Sequence, residues 1–322
     1  MGELMNAKNF IDTFWPNTID GLSLGAIYAL IALGYTLVYG VLRLINFANS
    51  EVFMVGTFGS SAALWLMGIR IEDIQSGAGL IGLLVLMLVF AVLFSVLTAV
   101  GLEFVAYRPL RKRNAPRLVF LITAIGASLA ISEAIGAFGP KKRDTYAFPR
   151  VWDTRQTLFS IGAGDVQLRN LVTVLGALFM MVGLAMFVNR TRLGRGMRAV
   201  AQDSETARIL GVNVNQVILL TFVIGGVMAG GAAFLYFLYY ESTRYTVGFL
   251  LGVKSFTAAV LGGIGNIAGA LLGGLILGLV ENYGAALFGG KWKDVIAFAV
   301  LVLVLMVRPS GLLGEKLGRA RA

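Results

Sequence analysis

Uncharged stretches long enough to cross a lipid bilayer recur along almost the whole chain, separated by short polar connections. A spanning helix needs about 20 mostly apolar residues. No charge falls between Asp20 and Arg43, which predicts a first span. Further spans are predicted at Val52–Ile69, Ala78–Leu102, Leu118–Phe138, Leu171–Val188 and Val217–Tyr240. A seventh stretch, Ser255–Val280, is charge-free but broken by Gly262-Gly263-Ile264-Gly265-Asn266. Its first limb is too short to cross alone, so it reads as two half-helices or a re-entrant hairpin. The last stretch, Val295–Val307, makes only about 20 Å of helix, short for a span unless the bilayer thins or Trp292 extends it. The expected fold is all-α: one polytopic transmembrane bundle over residues 1–322, with about eight hydrophobic segments, eight or nine crossings, and a broken helix pair near the C-terminus.

Composition agrees with this pattern. Hydrophobic residues make up 57% of the chain and charged residues 14%, against about 45–50% and about 25% in soluble proteins. Cysteine and histidine are absent, which excludes disulfides, Cys/His metal or haem sites, thiol nucleophiles and a Ser-His-Asp triad. No catalytic residue, metal site or cofactor is expected. The N-terminal stretch lacks the basic region of a signal peptide, so the chain reads as mature.

The net charge of +10 sits in connections rather than in one patch. This is the positive-inside pattern of a multi-pass plasma (inner) membrane protein, not a nucleic-acid footprint. Tyr107–Arg117 carries five basic residues and no acid, and Arg190–Arg208 carries five more. Two spans separate these connections, so both are placed in the cytoplasm, together with the tail that holds Lys316, Arg319 and Arg321. The loop at about 139–167 is then external, against its own Lys141, Lys142, Arg143, Arg150 and Arg155, and the N-terminus is external too.

Among the polar segments, Arg195–Gly211 carries the most information, within a cytoplasmic connection at about 190–215. Asp203 or Ser204 suits an N-cap, Glu205 the first turn and Gly211 the left-handed residue that ends a helix. That predicts a short surface helix, either an ordinary connector or a docking element. As a docking element it would turn the small Ala207 toward a tight contact with its partner.

The C-terminal glycines permit two readings. Gly263-x-Gly265-x-x-Ala268 imitates a dinucleotide fingerprint, but no βαβ unit surrounds it. Gly265, Gly269 and Gly273 recur every four residues, as do Gly274 and Gly278, the spacing of a smooth face for close helix packing. No phosphate-binding Gly-x-x-x-x-Gly-Lys-Ser/Thr loop occurs, so ATP hydrolysis would have to come from a partner.

Ionisable and amide side chains inside apolar segments are candidates for a substrate path. Asn46, Asn49, Ser50 and Glu51 precede or open the second apolar helix. They read either as a simple cap or as a helix N-terminus that holds a carboxylate. Glu133 lies within the fourth span with no basic residue at i±4, which calls for a partner on another helix. Glu103, near Tyr107 and Arg108, reads as structural. Lys254 and Glu281 flank the broken segment and are a possible pair.

Several ordered blocks resemble the LivH-type permease family of high-affinity branched-chain amino acid importers. They are Asp20–Phe58, with Ile45-Asn46-Phe47-Ala48, then Val105–Arg111, Leu193–Asn213, Lys254–Glu281 and the closing Arg308–Gly314. Within them Glu205-Thr206-Ala207-x-x-x-Gly211 is similar to the Glu-Ala-Ala-x-x-x-Gly signature by which ABC importer permeases dock into an ATPase groove, although the Ile-x-Leu-Pro continuation is missing. A second departure is Asn49-Ser50 where family members commonly carry His-Gly. The resemblance implies no chemistry on the substrate. It implies a complex of two permeases, the second a related chain, with two ABC ATPase subunits and an extracytoplasmic substrate-binding protein, embedded in membrane lipid. Leucine, isoleucine and valine are the expected cargo. Urea, short amides, aromatic acids or another small carboxylate are the alternatives within the class, and an ion-coupled secondary transporter or a membrane-bound enzyme lies outside it.

Overall fold

Each charge-free stretch becomes a helix in the computed structural model, which describes residues 7–68, 77–139, 143–147, 156–308 and 310–314. Helix α1 (Ala7–Leu42) is followed by α2 (Asn49–Leu66) and α3 (Gly77–Leu102). A π-helical turn at Glu103–Tyr107 joins α3 to the short α4 (Arg108–Lys112), and α5 (Arg117–Phe138) follows. Short strands β1 (Tyr146–Ala147), β2 (Thr157–Ile161) and β3 (Gly164–Gln167) lead into α6 (Leu168–Arg190), α7 (Arg192–Gln202) and α8 (Ser204–Ile209). The chain ends with α9 (Val214–Tyr240), β4 (Ser242–Thr243), α10 (Val247–Gly262), α11 (Ile267–Phe288) and α12 (Lys293–Val307). Among the described residues, six helices are long and apolar enough to cross a membrane, formed by α1, α3 with its extension, α5, α6, α9 and α11. The other apolar segments form the shorter α2, α10 and α12, of 18, 16 and 15 residues. Of the expected charged positions, Lys141, Lys142, Arg150, Arg155, Lys316, Arg319 and Arg321 lie outside the described residues.

A helix that is apolar all round belongs in the interior, and α1 is that helix: Ile27, Tyr28, Leu30, Ile31 and Leu33 are fully buried. Helices α6, α9, α10 and α11 pack around it. Helix α3 is two-sided. Leu83, Met87, Ala91, Ser95 and Ala99 are buried, while Ile81, Val85, Val89, Leu93 and Leu97 are exposed. Both series step by four residues, one helical face each. The buried face meets α2 and α9, and the exposed apolar face is the one that suits lipid.

Glycines set how closely the central helices approach. A Cβ on Gly274 would lie 2.6 Å from Ala29 Cα, and one on Gly25 2.8 Å from Leu275 Cα. Gly278 abuts Gly21 and Gly25 in the same crossing of α11 over α1. Gly269 and Gly273 face the other way, onto Gly262 and Ala258 of α10. The glycines thus serve two faces of α11 rather than one.

Gly265 departs from its expected place. It sits in the turn between α10 and α11 with φ of 100° and open space around its missing side chain. Its four-residue spacing from Gly269 spans the helix start, where Asn266 caps α11 by accepting from Gly269 N at 3.1 Å. Leu312 N and Leu313 N donate to the carbonyls of Leu261 and Gly262 at 2.8 and 2.9 Å, so the Arg308–Gly314 block pins this turn.

Both limbs of the broken segment run farther than charge suggested. Helix α10 begins at Val247, with Lys254 inside it, and α11 alone is long enough to cross. The result is a helical hairpin.

Candidate functional site

Helix α1 ends with Arg43 in the left-handed region, φ of 56°, and the chain turns back into the bundle. Asn49, the first residue of α2, packs against Gly34, eight residues before the end of α1 and therefore about 12 Å back along it. Helix α2 thus starts inside the bundle and runs toward the β-strands, where Phe58 packs edge-on to Tyr146 with ring centroids 5.0 Å apart. Thr57 and Thr243 share a hydrogen bond of 2.7 Å at the same end.

The start of α2 is not an open anion site. The backbone N–H groups of Asn49, Ser50 and Glu51 donate to the carbonyls of Asn46, Phe47 and Ala48 at 3.1, 3.4 and 3.1 Å. No side chain caps the helix. Both earlier readings, the side-chain cap and the carboxylate cradle, are therefore replaced by a tight backbone turn. Asn46 accepts from Tyr107 OH at 2.7 Å, and Ser50 Oγ donates to Phe47 O at 2.7 Å. These contacts hold the turn, and of the four residues Glu51 is the one on the wall of the adjacent cavity.

That cavity measures about 710 Å³, is partly open, and is lined by residues of α1, α2, α5, α9, α10, α11 and α12. It reaches β4 and the start of α10, and Arg244, Thr145 and Glu133 on its wall are exposed. Tyr28, Ser128, Lys254 and Glu281 are buried parts of its wall, and Tyr236 and Tyr240 also line it. Lys254 Nζ donates to Glu281 Oε1 and Asp294 Oδ1, both at 2.7 Å, and Tyr28 OH donates to Glu281 Oε2 at 2.9 Å. Lys254 and Glu281 are buried, so this network ties α1, α10, α11 and α12 together in the interior.

Glu133 falls elsewhere than expected, whereas Glu103 is structural as read. Glu133 is exposed at the end of α5 and pairs at 2.7 Å with Arg143 from the loop that follows, not with another helix. Glu103 is buried and pairs with Arg111 across the π-helical turn. Tyr28, Ser128 and Asp294 were missed. Each is an ordinary residue of an apolar or terminal segment, and nothing local marks it as the partner of a distant charge.

At the opposite end of the bundle, Asp203 caps α8. Its carboxylate accepts from Glu205 N at 2.9 Å, Thr206 N at 3.3 Å and Thr206 Oγ1 at 2.5 Å. These bonds hold its carboxyl below the usual aspartate range. Gly211, with φ of 84°, closes the helix, as Gly211 N donates to Arg208 O and Val212 N to Ala207 O. That is the paired C-terminal arrangement that needs a left-handed residue.

Ala207 points inward and is buried in the protein's own core. The expected outward contact at Ala207 is therefore corrected. Glu205 and Thr206 are exposed, and Ile209 and Leu210 stand 85% and 76% exposed beside them. Arg43 Nη2 donates to Ala201 O at 3.0 Å, linking this end directly to the turn that carries Glu51.

The described residues thus form a bundle with six helices long and apolar enough to cross a membrane, a partly charged cavity at one end and an exposed helical module at the other. The family model described as "Branched-chain amino acid transport system / permease component" matches residues 17–305, and the chain belongs to this family. It is 42% identical over 301 residues to the high-affinity branched-chain amino acid transport system permease protein BraD of Pseudomonas aeruginosa, covering 92% of this chain and 94% of that one. It is 40% identical to LivH of Escherichia coli K12, over 94% and 96% of the two chains. A shorter stretch, 37% of this chain, is 31% identical to the ribose import permease protein RbsC of Escherichia coli K12. The chain is thus a multi-pass inner-membrane transport subunit and not an enzyme.

Proposed function

We propose that this chain is the membrane-spanning subunit of an ATP-driven importer that carries leucine, isoleucine and valine. The observation that carries the cargo is likeness, along 92% of the chain, to a relative named for branched-chain amino acid transport. Apolar side chains on the cavity wall, such as Leu24, Val247 and Leu250, suit aliphatic cargo. The α8 end faces the cytoplasm and the β4 side of the cavity faces outward, toward a substrate-binding protein. Two ATPase subunits and a second, related permease complete the complex.

In this reading α8 seats in an ATPase groove through Ile209 and Leu210, with Glu205 and Thr206 beside them. Asp203 and Gly211 hold the two ends of the helix. Closure of the ATPases moves α7 and α8, and Arg43 passes that motion to the turn before α2. The cavity then alternates its opening.

Purification of the tagged chain from native membranes tests the composition. Copurification of two ATPases and a second permease, with a binding protein that takes leucine, isoleucine and valine, is the expected result. A complex whose binding protein takes urea or a short amide would keep the importer and discard the cargo. A chain that purifies without any ATPase would contradict the importer.

A further inference from the structure

Glu51 is 1% exposed and lies on the cavity wall. Its Oε1 accepts from Ser128 Oγ at 3.1 Å, while its Oε2 has no hydrogen-bond partner among the described residues. No ion pair reaches it among those residues either. Across the same cavity, Glu281 is already engaged by Lys254 and Tyr28. Of the two buried carboxylates on the wall, Glu281 is satisfied and Glu51 is not. An ionised carboxylate buried without a cation is costly, and intramembrane acids of this kind face a pathway or a partner. Gly248 permits the placement, because a Cβ there would lie 2.6 Å from Glu51 Oε2.

We infer that Glu51 is the ammonium-recognising group of the cavity, its carboxylate accepting from the α-ammonium of an amino acid cargo. Three features favour an ammonium over other cations. No group of three or more acids that could hold a metal ion occurs among the described residues. Tyr28, Tyr236 and Tyr240 line the same cavity, the last two with ring centroids 4.5 Å apart, so aromatic faces share the space with the carboxylate. Aromatic faces attract a desolvated ammonium. Leu24, Val247 and Leu250 leave apolar surface for an aliphatic side chain. Such a site disfavours the alternative cargoes by charge. A neutral amide or urea brings no cation to the carboxylate, and an acid without an amine is repelled by it. The identity of the cargo rests on the reading proposed above, whereas cation selection by Glu51 does not.

The absence of cysteine from the chain makes the test direct. Ser132, one turn from Ser128 on the same wall, is changed to cysteine in the assembled complex in nanodiscs. Its reaction with 2-aminoethyl and 2-sulfonatoethyl methanethiosulfonate is compared with that of free cysteine. A cationic preference at least tenfold above the free-thiol ratio is expected, abolished by Glu51→Gln and kept by Glu51→Asp. Leucine should slow the labelling, and its 2-oxo acid, which lacks the amine, should not. Equal rates for the two reagents, or a preference that survives Glu51→Gln, would overturn the assignment. If the preference depends on Glu51 and another primary amine protects where leucine fails, the ammonium site stands and the cargo reading falls.

Discussion

Lys254 Nζ and Glu281 Oε1 meet at 2.7 Å inside the bundle, although 27 residues and a reversal of the chain separate them. The contact accommodates the charge of a lysine buried within α10. It also binds the two limbs of the hairpin, while Asp294 brings in α12 and Tyr28 brings in α1.

Removal of one member of a buried pair leaves a bare charge and costs about 3–5 kcal/mol, whereas apolar replacement of both is close to neutral. Lys254→Met should therefore lower the thermal midpoint of the detergent-solubilised complex sharply. Lys254→Met with Glu281→Leu should recover most of the loss. A double variant as unstable as the sum of the single ones would show that the pair is not the relevant unit.

The crossing of α1 and α11 predicts a position-specific response among the glycines. Gly278→Leu drives a side chain into Gly21 and Gly25, and Gly273→Leu drives one into Ala258. Overpacking of this kind costs about 1–3 kcal/mol. Both should reduce the amount of assembled complex, measured by size-exclusion chromatography. Gly265→Asn, at a turn position with open space, should be tolerated better, because asparagine enters the left-handed region more readily than other side chains. Equal losses at all three positions would contradict the two-faced packing.

The α8 module separates docking from folding. Ile209→Asp with Leu210→Asp changes side chains that touch little of the chain itself, so the permease should accumulate normally while ATPase copurification falls at least tenfold. Ala207→Arg forces a charge into the interior and should lower the level of folded permease instead. Retention of the ATPase by the Ile209/Leu210 variant would move the docking surface elsewhere.

Asp203 gives the same module a defined acid response. Its folded-state pKa lies below the unfolded one, so the contribution of the cap is complete above the ordinary aspartate value of 3.8 and is lost as pH falls through the folded-state value. Amide protection at Glu205 and Thr206, corrected for intrinsic exchange rates, should fall in that acid range. Asp203→Ser should retain a cap with no such dependence, since a hydroxyl accepts the same bonds without titrating there. Protection that falls identically in the serine variant would assign the transition to another group.

Much of the fold was legible because hydrophobic length is a local property. Every charge-free stretch became a helix, and the short α12 and the break at Gly262–Asn266 appeared where composition placed them. The helix starts were less legible. Charge was read as a boundary at Lys254 and as an edge at Glu51, yet both are buried inside helices because distant residues or the cavity accommodate them. Periodicity misplaced Gly265 because it does not register where a helix begins. The Asp203 cap and the Gly211 turn are local and were readable. The inward direction of Ala207 was not, since a six-residue helix has too little pattern to show which face meets the core. Glu133 is the converse case, an acid inside an apolar run that reaches the surface because α5 ends five residues later.

In the proposed cycle, ATP hydrolysis on partner subunits drives branched-chain amino acids through this chain. Uptake of radiolabelled leucine into proteoliposomes tests it most directly, with the assembled complex, its binding protein outside and ATP enclosed. Leucine accumulation should require enclosed ATP and should disappear in the Ile209→Asp, Leu210→Asp variant. Accumulation driven by a sodium or proton gradient without ATP, or none of leucine, isoleucine or valine under any condition, would contradict it.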